Sequence, residues 1–312
     1  MRVLYLGTPE FAVVSLRALL DGGYDVCGVF TQPDRPSGRG QHLQPSPVKT
    51  LAASRGVRVF QPEKLRAEEN RGTVENLNPD VVVTAAYGQL VPAWMLRFSR
   101  LFPVNMHTSL LPRWRGAAPV ARAILNGDVK SGVTTMVMNE SLDAGDILLR
   151  AEVPISIETT TEELMETLAE VGSRLLLKTL EGLQSGSLKP TPQDETLATW
   201  APKITKAESA VSWERPAMEI HNRIRALNPW PGAAIDFRGE KVSLWRSLPS
   251  EGKKNVTPGM LLGVLENSLR VACGDATAID ISEIQRPGKK RTNGREFASG
   301  ARLKPGDVFG KC

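Results

Sequence analysis

The chain has 312 residues, 41% of them hydrophobic, and a formal net charge of +5 at pH 7. This length exceeds what one hydrophobic core usually supports, so two domains are expected, and the composition excludes a disordered, collagen-like or low-complexity chain. The start, MRVLYLGTPEF, lacks a secretory signal pattern, and no apolar run reaches the roughly 18 residues that predict a membrane span.

Strands and helices alternate through the first 150 residues. RVLYLG (2–7) predicts a strand, FAVVSLRALLDGG (11–23) a helix closed by two glycines, and VCGVFT (26–31) and DVVVTAAYG (80–88) further buried strands. Near-continuous apolar strands separated by helices indicate a parallel sheet covered on both faces. We therefore expect an α/β fold with a doubly wound, mostly parallel, Rossmann-like sheet, whose ligands bind at the carboxyl ends of the strands.

A long polar insertion, TQPDRPSGRGQHLQPSP (31–47), separates the second strand from a helix near VKTLAASRG (48–56). It contains four prolines and two glycines, and it is too long for an ordinary strand-to-helix connection. Loops of this length tend to be functional or mobile, so a binding role and a mobile surface insertion are both open.

The second half of the chain predicts a linker and a second domain. TTEELMETLAEVGSRLLLKTLEGL (160–183) has helical spacing, and SGSLKPTPQDETLATWAPKIT (185–205) has the composition of a linker. We expect an N-terminal domain at 1–189, a linker at 190–205 and a C-terminal domain at 206–312. That last domain opens with a helix at ERPAMEIHNRIRALN, and five short strands follow it: AAIDF, EKVSLWR, GMLLGVLE, SLRVAC and TAIDIS. This pattern favours a small OB-like β-barrel.

The charge is unevenly distributed. Residues 1–189 contain 20 basic and 20 acidic side chains, so the whole excess of +5 lies in residues 190–312. The segment RPGKKRTNGR (286–295) carries five Lys and Arg in ten residues. A basic C-terminal domain favours a polyanionic partner such as nucleic acid, with Lys289, Lys290 and Arg291 neutralising phosphates. A solvated surface hairpin is the alternative.

The sequence predicts neither a metal nor a nicotinamide cofactor. Cys27, Cys273 and Cys312 are far apart and form no CxxC pair, which favours a reducing, cytoplasmic compartment and argues against a thiol-bound metal. The turn GTPEF (7–11) lacks the GxGxxG pattern of dinucleotide-binding folds.

Three polar residues are candidates for catalysis. Asn105 and His107 lie in the strand-like segment PVNMH, where alternate residues share a face, so their side chains are expected side by side. An amide donor beside an imidazole suits a reaction that builds negative charge on a carbonyl oxygen. Asp143, in the turn after the strand TTMVMN, could orient the imidazole or accept a proton from an attacking amine. Taken singly, each has a structural alternative, namely a hydrogen-bonded histidine at a strand end or a turn aspartate.

NMHTSLLPRWRGAAPV together with SLDAGDIL resembles the folate-dependent formyltransferase family. The resemblance covers nearly the whole chain and includes GTPEFA (7–12), VFTQPDRPSGRG (29–40), AAYGQLVP (85–92), SLLPRWRGAAP (109–119) and ALNPWPGA (226–233). The PDRPxGRG insertion and the NPWPGA segment are similar to the members of the family that act on tRNA. Two positions depart from the pattern, since Thr108 stands where Gly or Pro is common and Ala144 where Thr is common.

The resemblance implies transfer of a formyl group from 10-formyltetrahydrofolate to the methionine α-amine of initiator methionyl-tRNA, by a monomer without a metal. It implies catalytic roles for Asn105, His107 and Asp143. The implied folate-binding residues are Ser109, Leu110, Leu111, Pro112 and the backbone of Tyr87, Gly88, Gln89 and Leu90. The insertion would contact the acceptor stem through Arg35 and Arg39.

Two other functions remain open from the residues. One is a formyltransferase for a small amine, such as an amino sugar nucleotide or glycinamide ribonucleotide, which would need neither the long insertion nor a basic second domain. The other is a non-catalytic RNA-binding protein, which the intact Asn105, His107 and Asp143 oppose.

Overall fold

The computed structural model describes residues 1–37 and 42–310. In these residues the helices are α1 (Glu10–Asp21), α2 (Pro47–Ser54), α3 (Glu69–Leu77), α4 (Ala93–Leu96), α5 (Pro119–Leu125), α6 (Thr161–Ser185), α7 (Ala217–Ala226) and α8 (Gly294–Ala301). The strands of the first half are β1 (Arg2–Gly7), β2 (Asp25–Phe30), β3 (Arg35–Ser37), β4 (His42–Gln44), β5 (Val59–Phe60), β6 (Val81–Ala85), β7 (Val104–His107), β8 (Arg115–Gly116), β9 (Lys130–Val137) and β10 (Ile147–Pro154). Those of the second half are β11 (Trp200–Ala201), β12 (Ala233–Phe237), β13 (Glu240–Glu251), β14 (Leu261–Val264), β15 (Leu269–Ala272), β16 (Thr277–Gln285) and β17 (Thr292–Asn293).

The chain divides into two compact units, each drawn from more than one stretch of sequence. The first unit comprises residues 1–116, 131–153 and 165–201, and the second comprises residues 117–130, 154–164 and the chain from residue 202 onward. The domain boundaries inferred from composition, at 189/190 and 205/206, stay a prediction.

The first unit is built on a seven-stranded sheet in the order β10-β9-β7-β6-β1-β2-β5. The strands from β5 to β7 run parallel, and β9 runs antiparallel to β7. Every residue of β6 is buried, as expected of a strand that is covered on both faces. The prediction of a doubly wound, mostly parallel sheet is confirmed.

The chain order of the sheet reverses between β1 and β6, which places a crevice at the carboxyl ends of these strands. The loops after the two strands are joined there, because the Thr8 hydroxyl donates to the Tyr87 carbonyl at 2.9 Å. The loop at Tyr87 and the end of β7 therefore border the position where ligands of such sheets bind.

The polar insertion contains an antiparallel hairpin formed by β3 and β4. At its base, Asp34 is ion-paired with Lys49 at 2.6 Å and accepts from Gln61 Nε2 at 2.7 Å. The hydrogen bond from Lys49 is the main reason that the pKa of Asp34 is lowered. The insertion is thus anchored to the first unit through its base, while Arg39 lies outside the described residues.

The second unit is an antiparallel β domain in the order β12-β13-β16-β15-β14, with β17 on β16. Residues near the C-terminus pair with both edges, because Gly310 bridges Asp236 of β12 and Val308 bridges Met260 beside β14. The core contains four aromatic rings with neighbouring centroids 5.4–5.9 Å apart: Trp213, Phe237, Phe297 and Phe309. This confirms the expected OB-like second domain, to which the structure adds the short helix α8.

His221 of α7 is buried in the second unit, with only 2% of its surface exposed. Its Nε2 lies 2.6 Å from the carbonyl of Ile157, so this nitrogen donates, and its Nδ1 lies 3.0 Å from the Ser247 hydroxyl. Both ring nitrogens are thus satisfied in the neutral form. Burial is the main reason that the pKa of His221 is lowered.

We expect the second unit to lose stability as the pH falls below about 6.5, the ordinary histidine value, because the unfolded chain then binds a proton that the folded chain resists. Urea unfolding at pH 7.5 and 5.5 would measure this loss. It should be smaller in His221→Gln, while His42→Gln, which changes an exposed histidine, serves as the control and should behave as the wild type. An equal loss of unfolding free energy in the wild type and in His221→Gln would contradict the assignment of this pH dependence to His221.

Candidate active site

Strand β7 carries the first two candidate residues. It lies between β6 and β9, and its register pairs Asn105 with Met136 and His107 with Thr134. Asn105 is half-buried and His107 is buried. Their side chains share a face because the two residues are two positions apart on a strand whose side chains alternate between faces. The amide of Asn105 makes no hydrogen bond with any residue that the structure describes, so it is available to a ligand.

The imidazole of His107 is oriented by the main chain. Its Nε2 lies 2.9 Å from the carbonyl oxygen of Trp114. A carbonyl oxygen only accepts, so Nε2 carries a hydrogen and donates it. The other nitrogen, Nδ1, then faces the carboxylate of Asp143, with 3.7 Å between Nδ1 and Oδ2. This distance is longer than a hydrogen bond, so the two groups are apposed but not directly bonded.

Asp143 is held in an unusual backbone conformation. Its φ of 50° lies in the left-handed region, which aspartate tolerates better than most residues. Its Oδ2 accepts a hydrogen bond of 2.9 Å from the Gly116 amide, whereas no described residue donates to Oδ1. The carboxylate therefore keeps one oxygen for the protein and offers the other to a ligand.

The turn of Asp143 depends on a glycine two residues later. A Cβ at Gly145 would lie 1.8 Å from the carbonyl oxygen of Val137, so the main chains of the turn and of β9 touch there. The turn predicted around Asp143 is present, and it brings Asp143 to His107 across 36 residues of sequence.

The structure adds three residues that the sequence did not single out: Arg115, Gln193 and Glu195. Arg115 is 3% exposed, and its guanidinium donates to both carboxylate oxygens of Glu195, at 2.7 and 2.9 Å. These hydrogen bonds are the main reason that the pKa of Glu195 is lowered. Gln193 connects Arg115 to the main chain of the Asp143 turn. A buried arginine requires hydrogen-bonding partners of this kind. The signal available in the sequence for this contact was Glu195, an acidic residue in the predicted linker to which no role had been assigned.

The predicted linker therefore lies partly on the first unit. Its strand β11 pairs in parallel with β8, so that Trp200 is next to Arg115 and Ala201 is next to Gly116. The Thr199 hydroxyl also accepts from the Trp114 amide at 2.8 Å. The chain around Trp114 is thus fixed on one side by His107 and on the other by the linker segment.

Comparison with known families identifies the family to which the chain belongs. Residues 1–180 match the model of the formyl transferase family, and residues 203–302 match that of the formyl transferase C-terminal domain. The chain belongs to the formyl transferase family. A relative named methionyl-tRNA formyltransferase from Bacillus velezensis is 43% identical over 311 residues, covering 100% of this chain and 98% of its own length. One with the same name from Methylibium petroleiphilum is 47% identical over 307 residues, covering 95% and 96%.

Solved formyltransferase structures share the fold. WlaRD, a sugar 3N-formyl transferase crystallised with dTDP and 5-N-formyl-THF, matches with a TM-score of 0.67 and 18% identity, over 93% of this chain and 99% of that one. At this identity the likeness concerns architecture alone. In the part of the chain that the structure describes, no three His, Cys, Asp or Glu side chains are grouped to hold a metal ion, and no helix there is long and apolar enough to cross a membrane.

Residues 87–90, the loop predicted to bind folate through its main chain, follow β6. Gln89 turns its side chain into the protein, where Oε1 accepts from the Leu65 amide at 2.8 Å. Gly88 has a φ of 92°, and Leu90 is 80% exposed. Tyr87 is buried with no partner for its hydroxyl among the described residues, and burial raises its pKa to about 12, so the group stays protonated.

The other predicted folate-binding residues, 109–112, are mostly buried. The Ser109 hydroxyl donates to the Arg113 carbonyl at 2.6 Å, and Leu111 packs with Met136 and Ile147. Leu110 is partly exposed and lies against Gly132. Of this group, Leu110 is the residue whose side chain remains partly open to a ligand.

The predicted tRNA-binding residues differ in their surroundings. Arg35 is exposed on β3, and Lys289 and Lys290 are exposed in the loop between β16 and β17. Arg291 already has protein partners, because its guanidinium lies 4.0 Å from the Trp245 ring centroid and 3.3 Å from the Glu283 carboxylate. Arg39 lies outside the described residues.

We expect Gly145→Ala to lower the free energy of unfolding by about 1–3 kcal/mol, because the methyl group must displace the main chain of Val137. Urea denaturation measures the effect. Gly72→Ala in α3 is the matched control, since no described atom lies within 4 Å of its Cβ position, and it should stabilise the protein by about 0.5–1 kcal/mol. If Gly145→Ala were as stable as the wild type, the close contact would be refuted.

Proposed function

We propose that this chain transfers a formyl group from 10-formyltetrahydrofolate to the α-amino group of methionine on initiator methionyl-tRNA, giving formylmethionyl-tRNA for translation initiation. The observation that carries the proposal is the apposition of His107 and Asp143 beside the open amide of Asn105. It occurs in a chain that relatives named methionyl-tRNA formyltransferase match over nearly its whole length. The sugar formyltransferase structures match this chain at 18–19% identity, a likeness in fold that carries no argument for a sugar acceptor.

Asp143 is proposed as the proton acceptor. The α-amine must be neutral to attack the formyl carbon, and it must lose a proton as the new N–C bond forms. Oδ2 of Asp143 is occupied by the Gly116 amide, which leaves Oδ1 as the atom that accepts this proton. The folate nitrogen that leaves takes up a proton when the old C–N bond breaks, so the reaction needs no net proton.

Asn105 and His107 are proposed to stabilise the negative charge that develops on the formyl oxygen. The Asn105 amide has no protein partner to give up within the described chain, so it can donate without reorganisation. His107 has its Nε2 engaged by the Trp114 carbonyl, and a proton on Nδ1 would stabilise the same charge. The hydrogen bond to Trp114 holds the ring plane, which keeps Nδ1 directed at the reacting groups.

The loop at 87–90 and residues 109–112 are proposed to hold the folate. The buried Tyr87 hydroxyl and Trp94 Nε1 have no hydrogen-bond partner among the described residues, and both side chains belong to one hydrophobic cluster. A bound polar heterocycle would satisfy such donors, so the residues present fit a folate.

The tRNA is proposed to contact the exposed basic residues of both units, with Arg35 and Arg39 on the insertion and Lys289, Lys290 and Arg291 on the loop after β16. Arg291 would contribute less, since Trp245 and Glu283 already engage it. We further propose that the protein works as a monomer in the cytoplasm, where initiator tRNA is aminoacylated. Light scattering and fractionation would test these two points.

Asn105→Ala and His107→Ala should each lower turnover of methionyl-tRNA by at least about 10²–10³-fold, the usual effect of removing one donor to an oxyanion. The measurement is single-turnover formyl transfer with saturating tRNA. Far-UV circular dichroism and tRNA affinity are the controls, and both should stay at wild-type values for Asn105→Ala. Turnover near that of the wild type in either variant would falsify its assigned role.

Replacing Lys289 and Lys290 together by alanine should raise the KM for tRNA and flatten its dependence on salt, because fewer phosphates are neutralised. The kcat should change little. The matched control replaces Lys253 and Lys254, another pair of adjacent exposed lysines in the second unit. Equal effects from both pairs would mean that total charge, and not this loop, governs binding.

A further inference from the structure

The side-chain amide of Gln193 uses its full hydrogen-bonding capacity within the first unit. Its Nε2 donates to the carbonyl oxygens of Asp143, at 2.8 Å, and of Gly145, at 2.7 Å. Its Oε1 accepts from Nε and Nη2 of Arg115, at 3.1 and 2.8 Å. Both N–H donors and both acceptor positions of the amide are therefore used. Rotating the amide by 180° would place its NH₂ group against the N–H groups of Arg115.

These bonds act on the turn that presents the Asp143 carboxylate. The residue has a left-handed φ of 50°, a conformation that persists only where the surroundings enforce it. Ala144, next in the chain, has no hydroxyl with which to anchor the turn. The turn is instead held by Gly116 at the carboxylate, by Gln193 at two carbonyls, and by the Val137 amide at the Asp146 carbonyl.

Arg115 makes the orientation of Gln193 unambiguous. It is 3% exposed and is also bonded by Glu195, so its guanidinium cannot turn away toward water. The residue after it, Gly116, donates to the Asp143 carboxylate. One short strand thus holds both the carboxylate of Asp143 and, through Gln193, the main chain of the same residue.

We propose that Gln193 is a positioning residue for Asp143, and that formyl transfer requires the segment around Gln193 to be seated on the first unit. The proposal rests on the function proposed above. No direct hydrogen bond sets the 3.7 Å between Asp143 Oδ2 and His107 Nδ1. The turn sets it, and Gln193 holds the turn.

Gln193→Ala and Gln193→Glu test the proposal in the full-length protein. Gln193→Glu keeps an acceptor for Arg115 but places a carboxylate against two carbonyl oxygens, so it should be at least as impaired as Gln193→Ala. We expect kcat for methionyl-tRNA to fall about 10- to 100-fold, as for displaced supporting groups in other sites. The KM values for tRNA and for 10-formyltetrahydrofolate should stay within about twofold, because Gln193 contacts neither substrate in this scheme.

The matched control is Thr191→Ala, in the same segment. Thr191 is exposed and pairs with Ile147 through main-chain atoms only, so its kcat should equal that of the wild type. Wild-type kcat in both Gln193 variants would overturn the proposal. So would a parallel loss in kcat, KM and melting temperature, since that pattern indicates a general structural defect.

Hydrogen exchange separates this proposal from the proposed function. In Gln193→Ala the amides of Gly116 and Val137, which donate to Asp143 and Asp146 of the turn, should exchange about tenfold faster or more, the factor expected from two lost hydrogen bonds. Amides of β6 should be unchanged. This measurement needs no substrate, so it tests the hold on Asp143 even if the wild type fails to formylate methionyl-tRNA. Unchanged exchange at Gly116 and Val137 would refute the positioning role.

Discussion

The position of the Asp143 carboxylate relative to His107 is the constraint on which the site depends. The two groups are 3.7 Å apart with no direct hydrogen bond, so their separation is set by what holds each of them. His107 is held by a carbonyl seven residues further along the chain. Asp143 is held by Gly116 and Gln193, in a backbone conformation that costs about 1–2 kcal/mol and needs such support. The geometry is therefore a property of the surrounding main chain.

Burying Arg115 explains why the segment after α6 lies against the first unit. A guanidinium that is 3% exposed must be paired and hydrogen-bonded, because an isolated buried charge is strongly unfavourable. Glu195 supplies the charge and Gln193 supplies an acceptor. Both come from a segment with the composition of a flexible linker. The conformation of this segment results from the charge of Arg115, which lies 80 residues before Glu195. Gln193 connects the same contact to the main chain of Asp143.

The long regular elements could be predicted from sequence, and the short ones could not. Continuous apolar residues predicted β1 and β6, and helical spacing predicted α1, α6 and α7. Two-residue strands such as β8 and β11 have no periodicity to detect, and α8 has eight residues of which two are glycines. For the site, alternation in β7 was sufficient to expect Asn105 and His107 on one face. The turn at Asp143 was expected from its residues, but the distance between Asp143 and His107 could not be predicted.

The sequence by itself determined the fold class, the likeness to formyltransferases and the face shared by Asn105 and His107, because these follow from local periodicity and from motifs of adjacent residues. Only the tertiary structure decided which nitrogen of His107 faces Asp143, which oxygen of Asp143 stays open, and that Gln193 and Glu195 join Arg115. It also decided that Gly145 lies against Val137. These features arise where segments distant in sequence meet in packed surroundings, and no pattern within one segment carries that information.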